Sequence, residues 1–308
     1  MNTKTLIVDL DNSFLKTDTI YEIIISNIKK DFLSFIKFFY FLSKGKAQLK
    51  DYLSKATEFD VVNLPINVEV INHIKNCKKN GYEVILVTGS NQIIADKINE
   101  QFDFFDKCYG SSQNCNLVGK EKARFIKETL ELDNFAYIGD SKKDFFVWDD
   151  AQEVIYVDNN SKNLKKIIQK KYPNNITIEV KDSNFYLFRL IRLHQWVKNF
   201  LIFLPSVLAG TILEINNIVD LFLGFLAFSF LASATYILND LIDLNSDRNH
   251  DTKKFRPLAA GDVSIPNGIC YLLIFFVLAL LLSLNLPNTF NLFLFTYLII
   301  TLGYSFYL

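Results

Sequence analysis

Two aspartates follow the first apolar run of the chain and lie two positions apart. Asp9 and Asp11 come directly after Leu6-Ile7-Val8. In an extended chain, side chains two positions apart lie on the same face. One carboxylate can then attack phosphorus while the second transfers a proton. The pair is therefore a candidate for phosphoryl chemistry that proceeds through an aspartyl phosphate.

The other groups that this chemistry needs follow later apolar runs. Thr88 ends the second run, Lys122 begins a helical segment, and Asp140 and Asp144 follow the third run. A hydroxyl and an ammonium group can hold phosphoryl oxygens, and carboxylates can hold Mg²⁺. A single aspartate at a strand end is often only the cap of the next helix. Four pieces in this order favour a catalytic site.

The elements that must position these groups alternate between strands and helices. Short apolar runs at residues 4–8, 82–87, 135–138 and 154–157 predict buried parallel strands. Strands that alternate with helices predict a doubly wound, Rossmann-like α/β sheet, whose ligands bind beyond the carboxyl ends of the strands. The polar residues at three strand ends are therefore expected to meet at one edge of the sheet.

The segments DLDNSFLKTD, LVTGS, GKEKA and GDSKKD resemble the haloacid dehalogenase (HAD) superfamily of phosphohydrolases over residues 1 to about 158. This resemblance implies specific roles for residues of the chain. They are Asp9 as nucleophile, Asp11 as acid/base, Lys122 with Thr88, Gly89 and Ser13 as phosphoryl ligands, and Asp9, Asp11, Asp140 and Asp144 around Mg²⁺.

Two departures from the usual family pattern bear on these roles. Asn12-Ser13 stands where the family usually has Gly-Thr or a similar pair, and Ser13 keeps the hydroxyl. Lys120 competes with Lys122, which is preferred because it heads the helix in the family-like Lys-Ala pairing. Residues of about 18–64 are expected to form a small helical cap that selects the substrate.

Charge is unevenly distributed along the 308 residues. The 33 basic and 33 acidic residues balance, which argues against a nucleic-acid-binding protein, and 50% hydrophobic content excludes a disordered chain. Residues 189–308 hold only seven charges of each sign, and none follows Asp262. The first part is thus expected in water and the second in lipid.

Four apolar stretches of the second part are each about long enough to cross a bilayer of roughly 30 Å. They are Trp196–Leu213, Ile218–Leu238, Pro266–Leu286 and Thr289–Leu308. Basic residues precede the first stretch and recur in the loop 239–262, whereas the other two loops have none. The positive-inside rule therefore predicts a multi-pass membrane protein whose N-terminal domain and 239–262 loop are both cytoplasmic.

Cysteine usage and the N-terminus agree with a cytoplasmic first domain. Cys77, Cys108, Cys115 and Cys270 show no paired CxxC spacing, which favours reduced cysteines. The first apolar run is far too short for a secretory signal.

A second chemical constellation begins where the second apolar stretch ends. Asp240, Asp243 and Asp247 are three and then four positions apart, which predicts three carboxylates on one helix face. Such a cluster is self-repelling without a cation, and Mg²⁺ that bridges it to a diphosphate would resolve the repulsion. The candidate diphosphate ligands around it are Asn239, Arg248, Lys253, Arg256, Lys198 and Gln195. A solvated loop would explain the basic residues but not the carboxylate spacing.

The segment NDLIDLNSDRNHDTKKFRPLAAG resembles the first aspartate-rich motif of the UbiA superfamily of intramembrane prenyltransferases. RLHQWVKNFLIFLP resembles the decaprenyl-phosphate phosphoribosyltransferase branch, with Leu193 in place of a proline, and Asp251 stands at another usual proline. The resemblance runs from about residue 186 to the end. It implies Mg²⁺, phosphoribosyl pyrophosphate as donor and a polyprenyl phosphate as acceptor.

The superfamily has more spans and a second aspartate-rich motif further downstream. We therefore expect the sequence to be C-terminally incomplete and to lack half of its transferase site. The predicted organisation is a HAD-like domain at 1–158, a linker at 159–185 and a UbiA-like all-α membrane domain at 186–308.

Together, the two resemblances predict a bifunctional membrane enzyme. The membrane half would transfer a 5-phosphoribosyl group from phosphoribosyl pyrophosphate to polyprenyl phosphate, and the HAD-like half would remove the 5-phosphate. In one alternative the aspartates hold a prenyl diphosphate, and the chain prenylates an aromatic or other acceptor; only HQWVKN favours the sugar donor. In another, the first domain is an idle adaptor, although the presence of both Asp9 and Asp11 counts against that.

Overall fold

The computed structural model describes residues 4–30, 40, 43–44, 61–112, 115–180, 185–212 and 214–307. The chain divides into two compact units, Met1–Lys181 and Asp182–Leu308. Most of the predicted cap, at about 18–64, lies outside the described residues, and its longest described part is one helix, Thr19–Lys30.

The first unit is built on a six-stranded parallel sheet of order β3-β2-β1-β4-β5-β6. Its strands are Thr5–Val8 (β1), Glu83–Asn91 (β2), Lys107–Ser111 (β3), Phe135–Gly139 (β4), Glu153–Asp158 (β5) and Ile176–Glu179 (β6). The strand order reverses between β1 and β4, which places the topological switch point of a doubly wound sheet there. The parallel α/β architecture predicted from the apolar runs is confirmed.

Helices flank the sheet, and apolar side chains pack on both of its faces. The helices are Thr19–Lys30 (α1), Val68–Lys79 (α2), Gln92–Gln101 (α3), Lys120–Arg124 (α4), Phe145–Trp148 (α5) and Lys162–Lys171 (α6). Along β1, Leu6 and Val8 pack into one core and Ile7 into the other. Burial on both faces explains why the central strands are continuous apolar runs rather than alternating ones.

Two strands were missed by the sequence analysis, and the linker prediction needs correction. The segment predicted as a linker, 159–185, contains α6 and β6, and β6 pairs with β5 from Ile176 opposite Ile155 to Glu179 opposite Asp158. Both missed strands lie at the edges of the sheet and are only partly buried. Edge strands do not need a continuous apolar run, so the apolar signal that found the central strands was absent there.

The second unit is helical in its described residues. Its helices are Tyr186–Leu190 (α7), Leu204–Leu208 (α8), Ile215–Ile242 (α9), Leu244–Arg248 (α10), Ile265–Ser283 (α11) and Asn288–Tyr307 (α12). Two segments of tighter 3-10 turns, Leu193–Phe203 and Lys253–Phe255, complete it. Leu231 of α9, Ala279 of α11 and Leu294 of α12 pack together in its apolar core.

Two helices of this unit are long and apolar enough to cross a membrane, Asn217–Ile242 and Ile265–Ser283. The prediction of four spans is therefore not confirmed. The apolar stretch 196–213 is not one helix, because a new short helix begins at Leu204 with Pro205 in its first turn, and Gly210 adopts a positive φ of 70°. The described apolar part of the last helix, Asn288–Gly303, is shorter than the two spans.

The surface of α11 has the composition expected against lipid. Leu273, Ile274, Val277, Leu280 and Leu281 each expose 44% or more of their surface. A contiguous apolar surface of this kind marks a membrane or protein contact rather than a water-facing helix.

Candidate functional site

Asp9 lies at the carboxyl end of β1, beside the switch point of the sheet. Its backbone N–H donates to the carbonyl of Ile138 in β4 (3.0 Å), which extends the ladder to the site. Its carboxylate Oδ1 accepts hydrogen bonds from Leu10 N–H (2.9 Å) and from Lys122 Nζ (2.7 Å). The Asp9 side chain is 12% exposed and the Lys122 side chain 4%. A buried, charged pair therefore stands where the sequence predicted the nucleophile.

Lys122, rather than Lys120, reaches this site. Lys122 lies on the buried side of the short helix α4, whereas Lys120 is exposed, with its Nζ 5.4 Å from the centre of the Phe146 ring. Lys122 Nζ also donates to the hydroxyl of Tyr137 (3.0 Å). The catalytic role of Lys122 stays a prediction.

The turn after β4 holds Asp144. Its Oδ2 accepts from Ser141 N–H (2.9 Å), Ser141 Oγ (2.8 Å) and Asp140 N–H (3.2 Å), and its Oδ1 accepts from Tyr137 (2.7 Å). Ser141 and Asp144 thus cap the following turn reciprocally. This capping arrangement fixes the Asp144 carboxylate beside that of Asp140.

Asp9, Asp140 and Asp144 form a group that fits a divalent cation. One carboxylate oxygen from each lies within 4.8 Å of the others. Burial raises the pKa of Asp9 to about 6, although Lys122 acts in the opposite direction. Burial and then the charge of Asp144 raise the pKa of Asp140 well above its usual value. The three carboxylates together offer the oxygen ligands that a hard cation such as Mg²⁺ prefers.

Asp11 is held apart from this carboxylate group. Its Oδ1 accepts from Thr19 N–H (2.8 Å), and its Oδ2 accepts from Ser90 Oγ (2.7 Å). Thr19 and Ser90 are themselves joined through their hydroxyls at 2.5 Å. The first turn of α1 and the end of β2 therefore orient Asp11, which is not in the described carboxylate group that fits a metal. Its predicted metal role stays a prediction.

A cavity of about 500 Å³ opens over these groups. Its walls include Asp9, Asp11, Lys122, Asp140 and Asp144, together with Gly89 and Ser90 of β2 and Ile20, Tyr21 and Ile24 of α1. Predicted site residues at the carboxyl ends of β1, β2 and β4 therefore border one cavity.

Three of the predicted phosphoryl ligands differ in their relation to this cavity. Gly89 lines it, whereas Thr88 is fully buried, and its Oγ1 accepts from Ser90 N–H (3.0 Å). Ser13 is also fully buried, and its Oγ has no hydrogen-bond partner within the described chain. The phosphoryl roles of Thr88 and Ser13 stay predictions.

Sequence reasoning missed Ser90 and Tyr137 at this site. Ser90 could have been found as the second hydroxyl of the Thr-Gly-Ser segment. Tyr137 had no sequence signal, because it stands inside an apolar strand where a tyrosine is an ordinary core residue.

In the second unit, two of the three predicted aspartates are buried and paired with arginines. Asp240 is 2% exposed, and its Oδ1 accepts from Arg192 (2.5 Å) and from Arg256 (3.1 Å). Asp247 is 1% exposed, and its Oδ2 accepts from Arg256 (2.7 Å). Burial raises the pKa of Asp247, against the opposing effect of Arg256. Arg256 thus joins two carboxylates that lie seven positions apart in the sequence.

The three aspartates do not stand on one continuous helix. Helix α9 ends at Ile242, and Asp243 lies between α9 and α10. Among the described residues, the three do not form a group close enough to share one cation. Their predicted role in binding Mg²⁺ stays a prediction, and in this structure arginines neutralise Asp240 and Asp247.

The remaining predicted diphosphate ligands are distributed around this network. Lys198 and Lys253 are exposed and Asn239 is half-buried. Gln195 contacts His194 through its side-chain amide (2.9 Å), and Arg248 Nε donates to the Ala259 carbonyl (3.2 Å). The sequence analysis counted Arg192 only as a basic residue near the membrane. It therefore missed the ion pair between Arg192 and Asp240.

The HQWVKN segment packs along α9. Trp196 Nε1 donates to Ser233 Oγ (3.0 Å), and Asn199 Nδ2 donates to Ser229 Oγ (2.9 Å). The two donors, Trp196 and Asn199, are three positions apart, and their acceptors, Ser233 and Ser229, are four positions apart. Four positions are about one helical turn, so both acceptors lie on the same face of α9. Trp196 and Asn199 therefore anchor the segment that carries Arg192.

Comparison with known proteins divides the chain in the same way. Residues 10–146 match the haloacid dehalogenase-like hydrolase family, and residues 203–308 match the UbiA prenyltransferase family. An uncharacterized protein, y4nM, of Sinorhizobium fredii is 34% identical over 98% of this chain and 58% of its own length. Decaprenyl-phosphate phosphoribosyltransferase of Corynebacterium glutamicum is 38% identical over 33% of this chain and 31% of its own length.

Among solved structures, a substrate-bound phosphoserine phosphatase is similar over 59% of this chain and 96% of its own, at 18% identity and a TM-score of 0.40. The chain spans 58% and 31% of the lengths of the two curated relatives named above. On the two family matches, the chain joins a segment similar to the haloacid dehalogenase-like hydrolase family, residues 10–146, to a segment similar to the UbiA prenyltransferase family, residues 203–308.

Proposed function

We propose that the first unit is a Mg²⁺-dependent phosphomonoesterase with Asp9 as nucleophile. The observation that carries this proposal is the buried pair of Asp9 and Lys122 (2.7 Å) at the edge of the carboxylate group. Within the described chain, both donors that contact the Asp9 carboxylate contact Oδ1. Oδ2 is therefore available to attack phosphorus.

The proposed reaction proceeds in two displacements at phosphorus. Asp9 Oδ2 bonds to phosphorus, the bond to the ester oxygen breaks, and Asp11 gives its proton to the departing alkoxide. Asp11 then takes a proton from water, the oxygen of which displaces Asp9 and releases inorganic phosphate. Asp9, Asp140 and Asp144 would hold Mg²⁺, which neutralises charge on the phosphoryl oxygens when bound. Lys122 supplies a fixed positive charge at the same oxygens.

For the second unit we propose transfer of a 5-phosphoribosyl group from phosphoribosyl pyrophosphate to a polyprenyl phosphate, with release of pyrophosphate. The similarity to the Corynebacterium glutamicum phosphoribosyltransferase supports this donor. The buried arginine and aspartate network supports binding of a diphosphate, because Arg192 and Arg256 offer donors that match phosphate oxygens.

The two activities would act in sequence on one lipid. The transferase product is a ribose 5-phosphate ester, which is a phosphomonoester of the kind that the first unit would hydrolyse. The proposal places both sites on the cytoplasmic side of a multi-pass membrane protein, as the distribution of basic residues predicts. The products would be a polyprenyl phosphoribose and inorganic phosphate.

A second candidate is transfer of a prenyl group from its diphosphate to an aromatic or other acceptor. The match of residues 203–308 to the UbiA prenyltransferase family supports this alternative. Both donors present a diphosphate to the same aspartates, so the lipid product must distinguish them.

The test uses the full-length protein in membranes, polyprenyl phosphate, and phosphoribosyl pyrophosphate labelled in the ribose. We expect labelled lipid from the wild type, none from Asp240→Asn, and lipid that keeps its 5-phosphate from Asp9→Asn. Asp149→Asn, a change at an exposed carboxylate of the first unit, is the matched control.

Each contrary result points to a different conclusion. Absence of labelled lipid, under conditions where a prenyl diphosphate is consumed, would favour the prenyltransferase. If the labelled lipid keeps its 5-phosphate in the wild type as well as in Asp9→Asn, the first unit does not hydrolyse this product.

A further inference from the structure

Tyr137 joins two charged groups of the first unit. The residue is fully buried in β4, and its hydroxyl lies 3.0 Å from Lys122 Nζ and 2.7 Å from Asp144 Oδ1. An ammonium group can only donate, and an ionised carboxylate can only accept. The single hydroxyl proton must therefore point to Asp144 while the oxygen accepts from Lys122.

Packing fixes the position of this hydroxyl. The Tyr137 ring meets the Trp148 ring edge to face, with centroids 6.4 Å apart, and Trp148 Nε1 donates to the Tyr137 carbonyl (3.3 Å). Lys122 Nζ also lies 5.6 Å from the centre of the Tyr137 ring. The hydroxyl thus stands on a ring with little freedom to move.

Gly139 provides the space for this contact. A Cβ at position 139 would lie 2.8 Å from Tyr137 Cε1 and 2.7 Å from Asp144 Cγ. Both distances are shorter than real contacts allow, so any larger residue would push the ring and the carboxylate apart. The backbone of β4 is therefore shaped to let Tyr137 and Asp144 meet.

We propose that Tyr137 is a positioning residue whose hydroxyl places Lys122 Nζ and Asp144 Oδ1 for phosphoryl chemistry. This inference rests on the proposed phosphomonoesterase function. Without the hydroxyl, Asp144 keeps its three donors on Oδ2 but loses the Tyr137 donor on Oδ1. Lys122 keeps Asp9 but loses its second acceptor. The affinity for Mg²⁺ and the rate of substrate turnover are then both lowered.

The test compares Tyr137→Phe with Tyr156→Phe in the full-length protein in detergent. Tyr156 is a matched control because it is 1% exposed, lies on the neighbouring strand, packs on Trp148 and directs its hydroxyl to the carboxylate of Asp158 (3.3 Å). The readouts are hydrolysis of para-nitrophenyl phosphate as a function of Mg²⁺, and amide hydrogen exchange of residues 135–148 with and without Mg²⁺.

We expect Tyr137→Phe to lower kcat/KM and to raise the half-saturating Mg²⁺ concentration, each by about 10- to 100-fold, as loss of an outer partner of a metal ligand typically does. Mg²⁺-dependent protection of residues 135–148 should move to higher Mg²⁺ in the same variant. Tyr156→Phe should stay within about twofold of the wild type.

Three outcomes would overturn the inference. They are an unchanged Mg²⁺ requirement in Tyr137→Phe, equal losses in both variants, and loss of the fold in Tyr137→Phe alone, which would assign the hydroxyl to stability. If the wild type shows no hydrolysis that depends on Asp9, the proposed function fails instead. The Mg²⁺-dependent exchange then decides the role of Tyr137 by itself.

Discussion

At the scale of single residues, the first unit concentrates opposite charges in a small buried space. Lys122 compensates Asp9, and Tyr137 and Ser141 satisfy Asp144. Breaking one member of a buried pair leaves the other charge uncompensated, which is costlier than removing both. Substitutions here therefore affect chemistry and stability together.

Replacing Lys122 tests which lysine serves the site. We expect Lys122→Met to lower phosphatase turnover by about 10²- to 10³-fold, the usual loss for one preorganised charge-stabilising donor. Lys120→Met should leave turnover nearly unchanged, because Lys120 is exposed and contacts Phe146. Steady-state hydrolysis of para-nitrophenyl phosphate measures both variants. Equal losses would show that Lys122 has no special role.

Asp9 makes the stability of the first unit depend on pH. Its pKa is about 6 in the folded chain, against an ordinary value of 3.8, mainly because it is buried. Its contribution to stability is therefore complete below about pH 3.8 and is lost as pH rises through about 6. Without Mg²⁺, the melting temperature of Asp9→Asn relative to the wild type should rise between pH 4 and pH 7. A difference that stays constant, or falls, over this range would contradict the assignment.

At the scale of secondary-structure elements, α9 organises the second unit. One face of this helix accepts hydrogen bonds from the preceding segment at three points. Ser229 accepts from Asn199, Ser233 accepts from Trp196, and Asp240 accepts from Arg192. Arg192 is in the left-handed region (φ 51°), and its guanidinium stands 4.7 Å from the centre of the Tyr236 ring. Such a conformation is uncommon for a bulky residue and persists where surrounding contacts hold it.

We expect the transferase reaction to depend on the guanidinium group of Arg192 and not only on its positive charge. A lysine cannot reproduce both the stacking on Tyr236 and the contact with Asp240, so Arg192→Lys should lower formation of labelled lipid by at least about tenfold. Lys254→Ala, an exposed residue of the same unit, is the control. Membranes with equal amounts of each protein provide the assay. Full activity of Arg192→Lys would show that a point charge is sufficient.

At the scale of the whole molecule, the two units differ in the solvent that their surfaces fit. The first unit is built on a doubly wound sheet and carries charged and polar side chains on its surface. The second exposes apolar side chains along α11, a helix that is long and apolar enough to cross a membrane. Charged residues near the centre of a spanning helix cost about 2.5–3.5 kcal/mol on insertion scales, whereas most surface changes in water stay within about 0.5 kcal/mol.

Val277 tests this difference between the units. Val277 is 50% exposed on α11, and Ile167 is 43% exposed on α6 of the first unit. We expect Val277→Asp to lower the membrane-inserted fraction, measured by resistance to alkaline extraction, while Ile167→Asp leaves it unchanged. Equal tolerance of both substitutions would place α11 against water.

Much of the architecture was accessible from the sequence because it depends on local pattern. The apolar runs of β1, β2, β4 and β5 are buried on both faces, so composition alone marked them. The edge strands β3 and β6 lack that signal, since a half-exposed strand needs few apolar residues. The four apolar stretches were visible, but a proline and a glycine with positive φ break the first of them in the structure.

The sequence by itself determined the residue types at the strand ends, the charge segregation between the two units and the two family resemblances. Only the tertiary structure decided which groups meet. Lys122 reaches Asp9 across 113 positions, and Arg192 reaches Asp240 across 48. No local period encodes such separations, because they follow from strand order and helix packing. The same reason hid Tyr137: a strand tyrosine becomes part of a charged site only when a distant lysine and a nearby carboxylate converge on its hydroxyl.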